Sequence, residues 1–263
     1  GVRGQFYPSD KLELADMISS LAGEISSKKE NALGVISPHA GYIYSGAVAA
    51  SVFSAVDIKD TVIILGPNHT GMGEPFSIET KGVWKLPLGE VKINEELAAE
   101  ILKNSKFLVG DDKAGAYEHS IEVQIPFIQH FKKDFKIVPI IIAYDDYNTL
   151  RSIGTDIAKV LKRWKKDFLI VASSDMTHYE SRESAEKKDK LAIDNILKLD
   201  ALGLYETVKK MGITMCGIAP AVVMLAALEE LGAKEAKLIK YRTSGDVSGD
   251  YSSVVGYAGI IIK

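Results

Sequence analysis

The chain of 263 residues carries 32 basic and 35 acidic side chains, so its formal net charge is only −3, and 46% of its residues are hydrophobic. This near balance of charge argues against nucleic acid as an obligate partner, because binding a phosphate backbone requires a basic surface. The composition is that of an ordinary globular protein that can bury a large core.

Cysteine usage and hydropathy indicate the compartment. Cys216 is the only cysteine, which excludes an intrachain disulfide and is typical of a reducing environment. The longest apolar run, residues 219–228, is too short to cross a hydrocarbon core of ~30 Å as a helix. No positively charged leader followed by an apolar stretch is recognisable. We therefore expect a cytoplasmic protein without a membrane partner.

In the first part of the chain, short β-branched runs alternate with longer helical periods. A buried strand over residues 32–37 precedes an amphipathic helix over 46–56, and residues 61–65 form the clearest strand. Residues 71–90 are rich in glycine and proline, which predicts a loop containing a hairpin. Asn94 is expected to cap a helix that extends to about residue 102.

The second part of the chain continues the alternation. Helices are predicted over residues 120–131, 148–164, 183–198, 201–209 and 217–231, and strands over 136–143, 168–173, 236–243 and 253–262. Strands separated by helices predict an α/β fold with a mostly parallel central sheet flanked by helices on both faces. Without a linker, a low-complexity stretch or an internal repeat, residues 1–263 are expected to form a single domain.

Three predicted strands run into a tight turn that delivers a histidine. The turns read Ser37-Pro38-His39-Ala40-Gly41, Gly66-Pro67-Asn68-His69 and Ser173-Ser174-Asp175-Met176-Thr177-His178. The carboxyl ends of parallel strands lie side by side at one sheet edge, about 4.8 Å apart, where α/β proteins bind ligands. A single histidine in such a position is more often a turn residue, but three of five histidines predict a shared pocket.

The other two histidines are less specific. Ser120 is expected to cap the following helix, which places His119 at the entrance of that helix, either as a surface residue or as part of the pocket. His130 lies at a helix end among lysines, where a cation favours the helix dipole, so we interpret it as structural.

Cys216 precedes the helix predicted over residues 217–231. A thiol at a helix amino end is expected to have a depressed pKa, which suits metal ligation or nucleophilic chemistry. The alternative is a small buried hydrophobic residue.

Two histidines and a thiolate would leave open coordination positions on iron, copper or zinc, as in catalytic rather than structural metal sites. Asp175 is then the carboxylate beside the metal or a proton acceptor, and His178 is a candidate general acid/base. A cysteine hydrolase uses the same residue types, but it would not explain the two further histidines.

Taken together, the motifs resemble the MEMO family over nearly the whole chain. They are Gly4-Gln5-Phe6-Tyr7-Pro8, Ser37-Pro38-His39-Ala40-Gly41-Tyr42, Gly66-Pro67-Asn68-His69, Glu118-His119-Ser120-Ile121-Glu122, Ser173-Ser174-Asp175 with His178, and Cys216-Gly217.

The resemblance implies a fold like that of the class III extradiol dioxygenases, non-haem iron enzymes that use two histidines and a glutamate as ligands. His39 and His69 would correspond to the histidine ligands, and His178 to the acid/base. Cys216 would replace the glutamate, so ring cleavage does not follow from the resemblance. Fe(II) is the expected metal, with copper or zinc as alternatives.

The resemblance also implies a binding role. Eukaryotic relatives mediate cell motility downstream of a receptor tyrosine kinase, with a phosphopeptide-binding role proposed for the same pocket. Phe6, Tyr44, His119 and Arg182 would then be substrate-binding residues, with Arg182 pairing to an anionic group. Microbial relatives are often encoded beside a radical-SAM protein and an AMMECR-type protein, which are possible pathway partners.

Two functional hypotheses follow. In the first, the chain is a metal-dependent oxidoreductase of unknown substrate, with His39, His69 and Cys216 as metal ligands. In the second, the same pocket is a non-catalytic module that binds an anionic peptide or a small molecule.

Overall fold

The computed structural model describes residues 1–23 and 28–263, and within them a mixed sheet of eleven strands lies between two layers of helices. The strands are β1 (Gly34–Ser37), β2 (Thr61–Pro67), β3 (Phe76–Ile78), β4 (Val83–Leu86), β5 (Gly89–Ile93), β6 (Val109–Gly110), β7 (Lys136–Ile142), β8 (Leu169–Ser173), β9 (His178–Glu180), β10 (Ala236–Thr243) and β11 (Val254–Ile262).

Ten helices precede or connect these strands within the described residues. They are α1 (Lys11–Ala22), α2 (Tyr42–Ala55), α3 (Glu95–Asn104), α4 (Lys113–Ala116), α5 (Ile125–Phe131), α6 (Tyr147–Arg163), α7 (Arg182–Leu197), α8 (Ala201–Met211), α9 (Ile218–Glu230) and α10 (Gly245–Ser248), with a 3₁₀ turn at Glu122–Gln124. The predicted α/β class with a largely parallel sheet is confirmed.

The centre of the sheet is parallel. Its order is β10-β11-β1-β8-β2-β7-β3-β6, and β1, β8, β2 and β7 run in the same direction. Every residue of β1, β2 and β8 is buried, as expected for strands covered on both faces. Strand β11 is antiparallel to β1, so β11 begins at the edge where β1, β8 and β2 end.

Two helical layers cover the sheet. Helices α1, α2 and α5 pack together on one face, and α9 lies on the other face against β1, β2, β7 and β8. Helix α9 is buried from Ile218 to Leu228, because α6 and α8 cover its outer side. None of the helices in the described parts of the chain combines the length and the apolar character needed to cross a bilayer.

Several local predictions needed correction. The helix expected over residues 120–131 begins only at Ile125, because Ser120 is fully buried and its hydroxyl donates to the carbonyl of Pro67. The loop predicted over 71–90 contains the expected hairpin of β4 and β5, but also β3, which pairs with β7. Asn94 caps α3 as predicted, since its side chain accepts a hydrogen bond from the backbone N–H of Leu97.

Candidate metal centre

Three histidines lie where three adjacent parallel strands end. His39 follows β1, His69 follows β2, and His178 follows β8, which lies between the other two strands in the sheet. The ring centroids of His39 and His69 are 5.1 Å apart. The strand-end pattern therefore places these side chains at one edge of the sheet.

Cys216 reaches the same point from the turn before α9. Its Sγ lies 3.1 Å from Nε2 of His39, and the potential ligand atoms of His39, His69 and Cys216 all lie within 4.8 Å of one another. Gly217 lets this turn approach β8, since a Cβ there would lie 2.3 Å from the carbonyl oxygen of Ser173. Two imidazoles and one thiol so close together are a donor set that suits iron, copper or zinc.

The hydrogen bonds of Ser173 determine the tautomer of His39. The Ser173 hydroxyl donates its single hydrogen to the carbonyl of Ser120 at 2.6 Å and accepts from Nε2 of Gln124 at 2.8 Å. It can only accept from Nδ1 of His39, 2.9 Å away, so this nitrogen carries the proton and Nε2 is free to bind a metal. Burial, with the neighbouring His69, holds the pKa of His39 well below its usual value, which keeps the ring neutral.

A buried carboxylate orients His69 in the same way. Glu118 accepts from Nδ1 of His69 at 2.9 Å and also from the backbone N–H groups of His69 and Ser120. Burial acts to raise the pKa of Glu118, but these hydrogen bonds and the electrostatic interaction with His69 outweigh it and lower the pKa to about 2. Nε2 of His69 is left free, the arrangement expected of a metal-binding histidine.

The geometry places His119 inside the cleft rather than on the outer surface. Its ring contacts two others, with centroids 4.5 Å from that of Phe6 and 4.8 Å from that of His69. Burial lowers its pKa despite the nearby Glu118 carboxylate. Phe6 and His119 thus form an aromatic wall beside His69.

The expected depression of the Cys216 pKa is wrong in this environment. Burial, reinforced by the carboxylate of Asp175, raises the pKa of the thiol, although the sulfur accepts the backbone N–H of Asp175 at 3.3 Å. The helix dipole alone is too weak to offset burial next to a carboxylate. A cation beside the sulfur would reverse this balance, because a coordinating thiol is deprotonated.

His178 and Asp175 lie on the other side of Cys216. Nδ1 of His178 faces the carbonyl oxygens of Met176 and Thr214 at 2.8 and 2.9 Å, so Nδ1 is protonated and Nε2 is the atom that can exchange a proton. Asp175 accepts the backbone N–H of His39 at 2.7 Å. Burial raises the pKa of Asp175.

These side chains line a cleft of about 500 Å³. Seven of the nine sequence-predicted site residues line it: Phe6, His39, His69, His119, Asp175, His178 and Cys216. Sequence reasoning missed Thr214 and Tyr257, which also line the cleft, and the buried Gln124 beneath it.

Tyr44 and Arg182 are not among the residues that line this cleft. The Arg182 guanidinium is bound by Glu186 at 2.6 Å and Asp246 at 3.4 Å, and it lies over the ring of Tyr251. Within the described parts of the chain, the residues that line the cleft include no lysine or arginine.

His130 lies in the last turn of α5, away from the cleft. This position agrees with its interpretation as structural.

The sequence of the chain is similar to those of known proteins over its full length. The model of the Memo-like protein family matches residues 1–261. A MEMO1 family protein of Methanocaldococcus jannaschii is 43% identical over 100% of this chain and 97% of its own length. A MEMO1 family protein of Aquifex aeolicus is 42% identical over 99% and 97%.

A solved structure, an uncharacterized protein from Escherichia coli K12, shares the fold with a TM-score of 0.54. It is 10% identical in sequence, and the match covers 87% of this chain and 98% of that one, so the likeness concerns the fold alone. The full-length match to the family model and the identities above 40% lead to one conclusion: the chain belongs to the Memo family.

Proposed function

We propose that the chain is a metal-dependent oxidoreductase in which His39, His69 and Cys216 hold Fe(II), with copper or zinc as alternatives. One observation carries the proposal: their ligand atoms lie within 4.8 Å of one another at the carboxyl edge of the sheet. The Nδ1 atoms of both histidines are engaged, by Ser173 and Glu118, so that both Nε2 atoms are free. A cytoplasmic location, which keeps Cys216 reduced, belongs to this proposal.

The residues around the centre support proton-coupled chemistry. Iron held by three protein ligands retains open positions and can exchange single electrons. His178 holds its exchangeable proton site at Nε2, because carbonyl groups occupy the Nδ1 side. Asp175, within 4.8 Å of His178 and Cys216, is the carboxylate placed to accept a proton or to balance the charge of an imidazolium.

Metal analysis tests the proposal directly. The protein is reconstituted anaerobically with Fe(II), desalted and assayed for bound metal, with copper and zinc in parallel. We expect about one equivalent in the wild type and a large loss in His39→Ala, His69→Ala and Cys216→Ala. His130→Ala is the control, because His130 lies outside the cleft. If the wild type retains none of the three metals, or if the ligand variants retain as much as His130→Ala, the proposal is wrong.

The binding-module alternative has weaker support in the site. Arg182, the residue expected to bind an anion, is already paired with Glu186 and Asp246. Titration with a phosphotyrosine peptide, before and after Arg182→Ala, separates the two functions. An affinity that depends on Arg182 would favour the module.

The cysteine-hydrolase alternative predicts a reactive thiolate at Cys216. Burial raises the pKa of this thiol, which argues against such a nucleophile. Rapid alkylation of Cys216 at neutral pH in metal-loaded protein would support the hydrolase instead.

A further inference from the structure

Tyr257 lines the same cleft as the candidate metal ligands. The residue belongs to β11, which begins at the edge of the sheet where the metal-binding histidines lie. Its neighbour Gly256 faces the other way, since a Cβ there would meet the Asp189 carboxylate and lie 3.0 Å from the Tyr241 hydroxyl. Side chains alternate along a strand, so Tyr257 points to the opposite side, where it lines the cleft.

The hydroxyl of Tyr257 is unusual among the enclosed tyrosines. The side chain is only 2% exposed, like those of Tyr7 and Tyr42 at 3% and 1%. The Tyr7 hydroxyl donates to Glu122 at 2.6 Å, that of Tyr42 to the carbonyl of Val123 at 2.6 Å, and that of Tyr241 to Asp189 at 2.7 Å. Within residues 1–23 and 28–263, the Tyr257 hydroxyl has no hydrogen-bond partner.

This hydroxyl is also not sealed inside the protein. Although Tyr257 is only 2% exposed, its exposed part includes the hydroxyl oxygen, which is accessible to solvent. A hydroxyl that borders a cleft and has no protein partner can bond only to what the cleft contains, and native proteins leave few enclosed polar groups without any partner. The position of the Tyr257 hydroxyl at the wall of the cleft therefore indicates a partner that arrives from solution.

We propose that the Tyr257 hydroxyl donates a hydrogen bond to an oxygen atom of an uncharged small molecule bound in the cleft. The inference rests on the proposed function in taking this cleft as the place where the substrate binds. Asp175 and His178 can accept hydrogen bonds, whereas Tyr257 supplies a neutral donor. Because none of the described residues lining the cleft is a lysine or an arginine, Tyr257 favours a hydroxyl or carbonyl oxygen over a phosphate.

The environment also keeps this group a donor. Burial, with further contributions from Asp175, Tyr44 and Tyr179, raises the pKa of Tyr257, so the phenol remains protonated throughout the neutral range.

The first arm of the test measures stability. Tyr257→Phe removes a hydroxyl that has no partner among the described residues, so we expect the midpoint of thermal unfolding to stay the same or to rise. Tyr241→Phe is the matched control, and it should lower the midpoint because it removes the hydrogen bond to Oδ2 of the buried Asp189, which among the described residues keeps only its bonds to Thr177. A loss of stability in Tyr257→Phe as large as in Tyr241→Phe would show that the hydroxyl is structural and would overturn the inference.

The second arm measures binding by calorimetry with two small probes, phenol and fluorobenzene. Phenol has a hydroxyl oxygen that can accept a hydrogen bond, and fluorobenzene has a fluorine atom in its place. Wild type and Tyr257→Phe are compared, both loaded with iron and assayed for metal. One lost hydrogen bond should weaken phenol binding by about two- to twelve-fold and leave fluorobenzene binding unchanged. No phenol binding to the wild type, equal phenol affinity in both proteins, or an equal loss for both probes would overturn the inference.

The metal assay separates this inference from the proposed function. If the protein takes up no metal but phenol binding still depends on Tyr257, the metal proposal fails and the inference stands. If metal is bound normally and phenol binding is insensitive to Tyr257→Phe, only the inference fails.

Discussion

Each histidine of the cleft that is expected to act through Nε2 has its Nδ1 fixed by a different kind of acceptor. A serine hydroxyl accepts from His39, a carboxylate from His69, and two carbonyl oxygens from His178. The acceptors differ in charge, although they impose the same tautomer. A carboxylate raises the basicity of its histidine more than a hydroxyl does, so His69 is expected to be the stronger metal ligand of the pair.

Replacing Glu118 tests that expectation. Glu118→Gln removes the negative charge and puts an amide where two backbone N–H groups and Nδ1 of His69 require acceptors. We expect the affinity for Fe(II) to fall by about 10- to 100-fold. The affinity is measured by competition with a chelator at a temperature where the variant is fully folded.

The matched control is Glu122→Gln. Glu122 belongs to the same segment, but it accepts from the Tyr7 hydroxyl and from the backbone N–H of Val2 rather than from a histidine. Its metal affinity should match that of the wild type. Equal losses in both variants, or none in Glu118→Gln, would count against a specific role for Glu118.

At the residue scale, the sequence predicts the histidines of the cleft better than the other residues around them. His39, His69 and His178 each follow a strand, and a repeated local pattern is visible without a structure. Tyr257 follows no such pattern, because β11 reaches the cleft through antiparallel pairing with β1 and β9. Arg182 is not among the residues that line the cleft, and it pairs instead with Glu186 on its own helix and with Asp246, which is distant in sequence.

Among the elements, α6 and α9 make the closest helix contact in which a glycine is required. A Cβ at Gly154 of α6 would lie 2.4 Å from the carbonyl oxygen of Val223 and 2.9 Å from Cβ of Ala226, both in α9. The small residues of α9 therefore have a specific packing partner in α6. Because α9 follows Cys216 directly, this contact also helps to hold the thiol in place.

Gly154→Ala tests how tightly the two helices pack. In an isolated helix alanine would stabilise by about 1 kcal/mol over glycine. Here the added methyl meets backbone that cannot move freely, so we expect the free energy of unfolding to fall by about 1–3 kcal/mol. Urea denaturation measures the difference.

Ser152→Ala is the control for this substitution. It lies on the same helix, and its hydroxyl has no hydrogen-bond partner in the described parts of the chain. It should leave stability unchanged or slightly raise it. If the Gly154→Ala protein is as stable as Ser152→Ala, then α6 and α9 can move apart to accept the methyl group, and the contact does not require glycine.

Most long elements were predicted from the sequence with small boundary errors, although helix α1 was not predicted, and several short elements were missed. Strand β2 and helix α6 carry enough apolar periodicity to be recognised, whereas β3, β6 and β9 have three residues or fewer. Such short strands exist only because a neighbouring strand pairs with them. The late start of α5 has a similar cause, since buried Ser120 is held by long-range hydrogen bonds to Pro67 and Ser173 rather than by local propensity.

For the molecule as a whole, the candidate metal centre joins segments that are far apart in the chain. His39 and Cys216 are separated by 177 positions, yet their ligand atoms lie 3.1 Å apart. Such a set of metal ligands is not held together in the unfolded chain. A metal that binds there must therefore bind the folded state almost exclusively and stabilise it by mass action.

This linkage predicts a metal-dependent shift of thermal unfolding. At a free Fe(II) concentration about 100 times the dissociation constant, the stabilisation is about 2.7 kcal/mol. For a chain of this size that corresponds to a rise of roughly 5–10 °C in the unfolding midpoint. Anaerobic calorimetry with and without Fe(II) measures the shift. We expect it to persist in His130→Ala and to vanish in His39→Ala and Cys216→Ala, whereas a shift of equal size in all of these proteins would place the metal elsewhere on the chain.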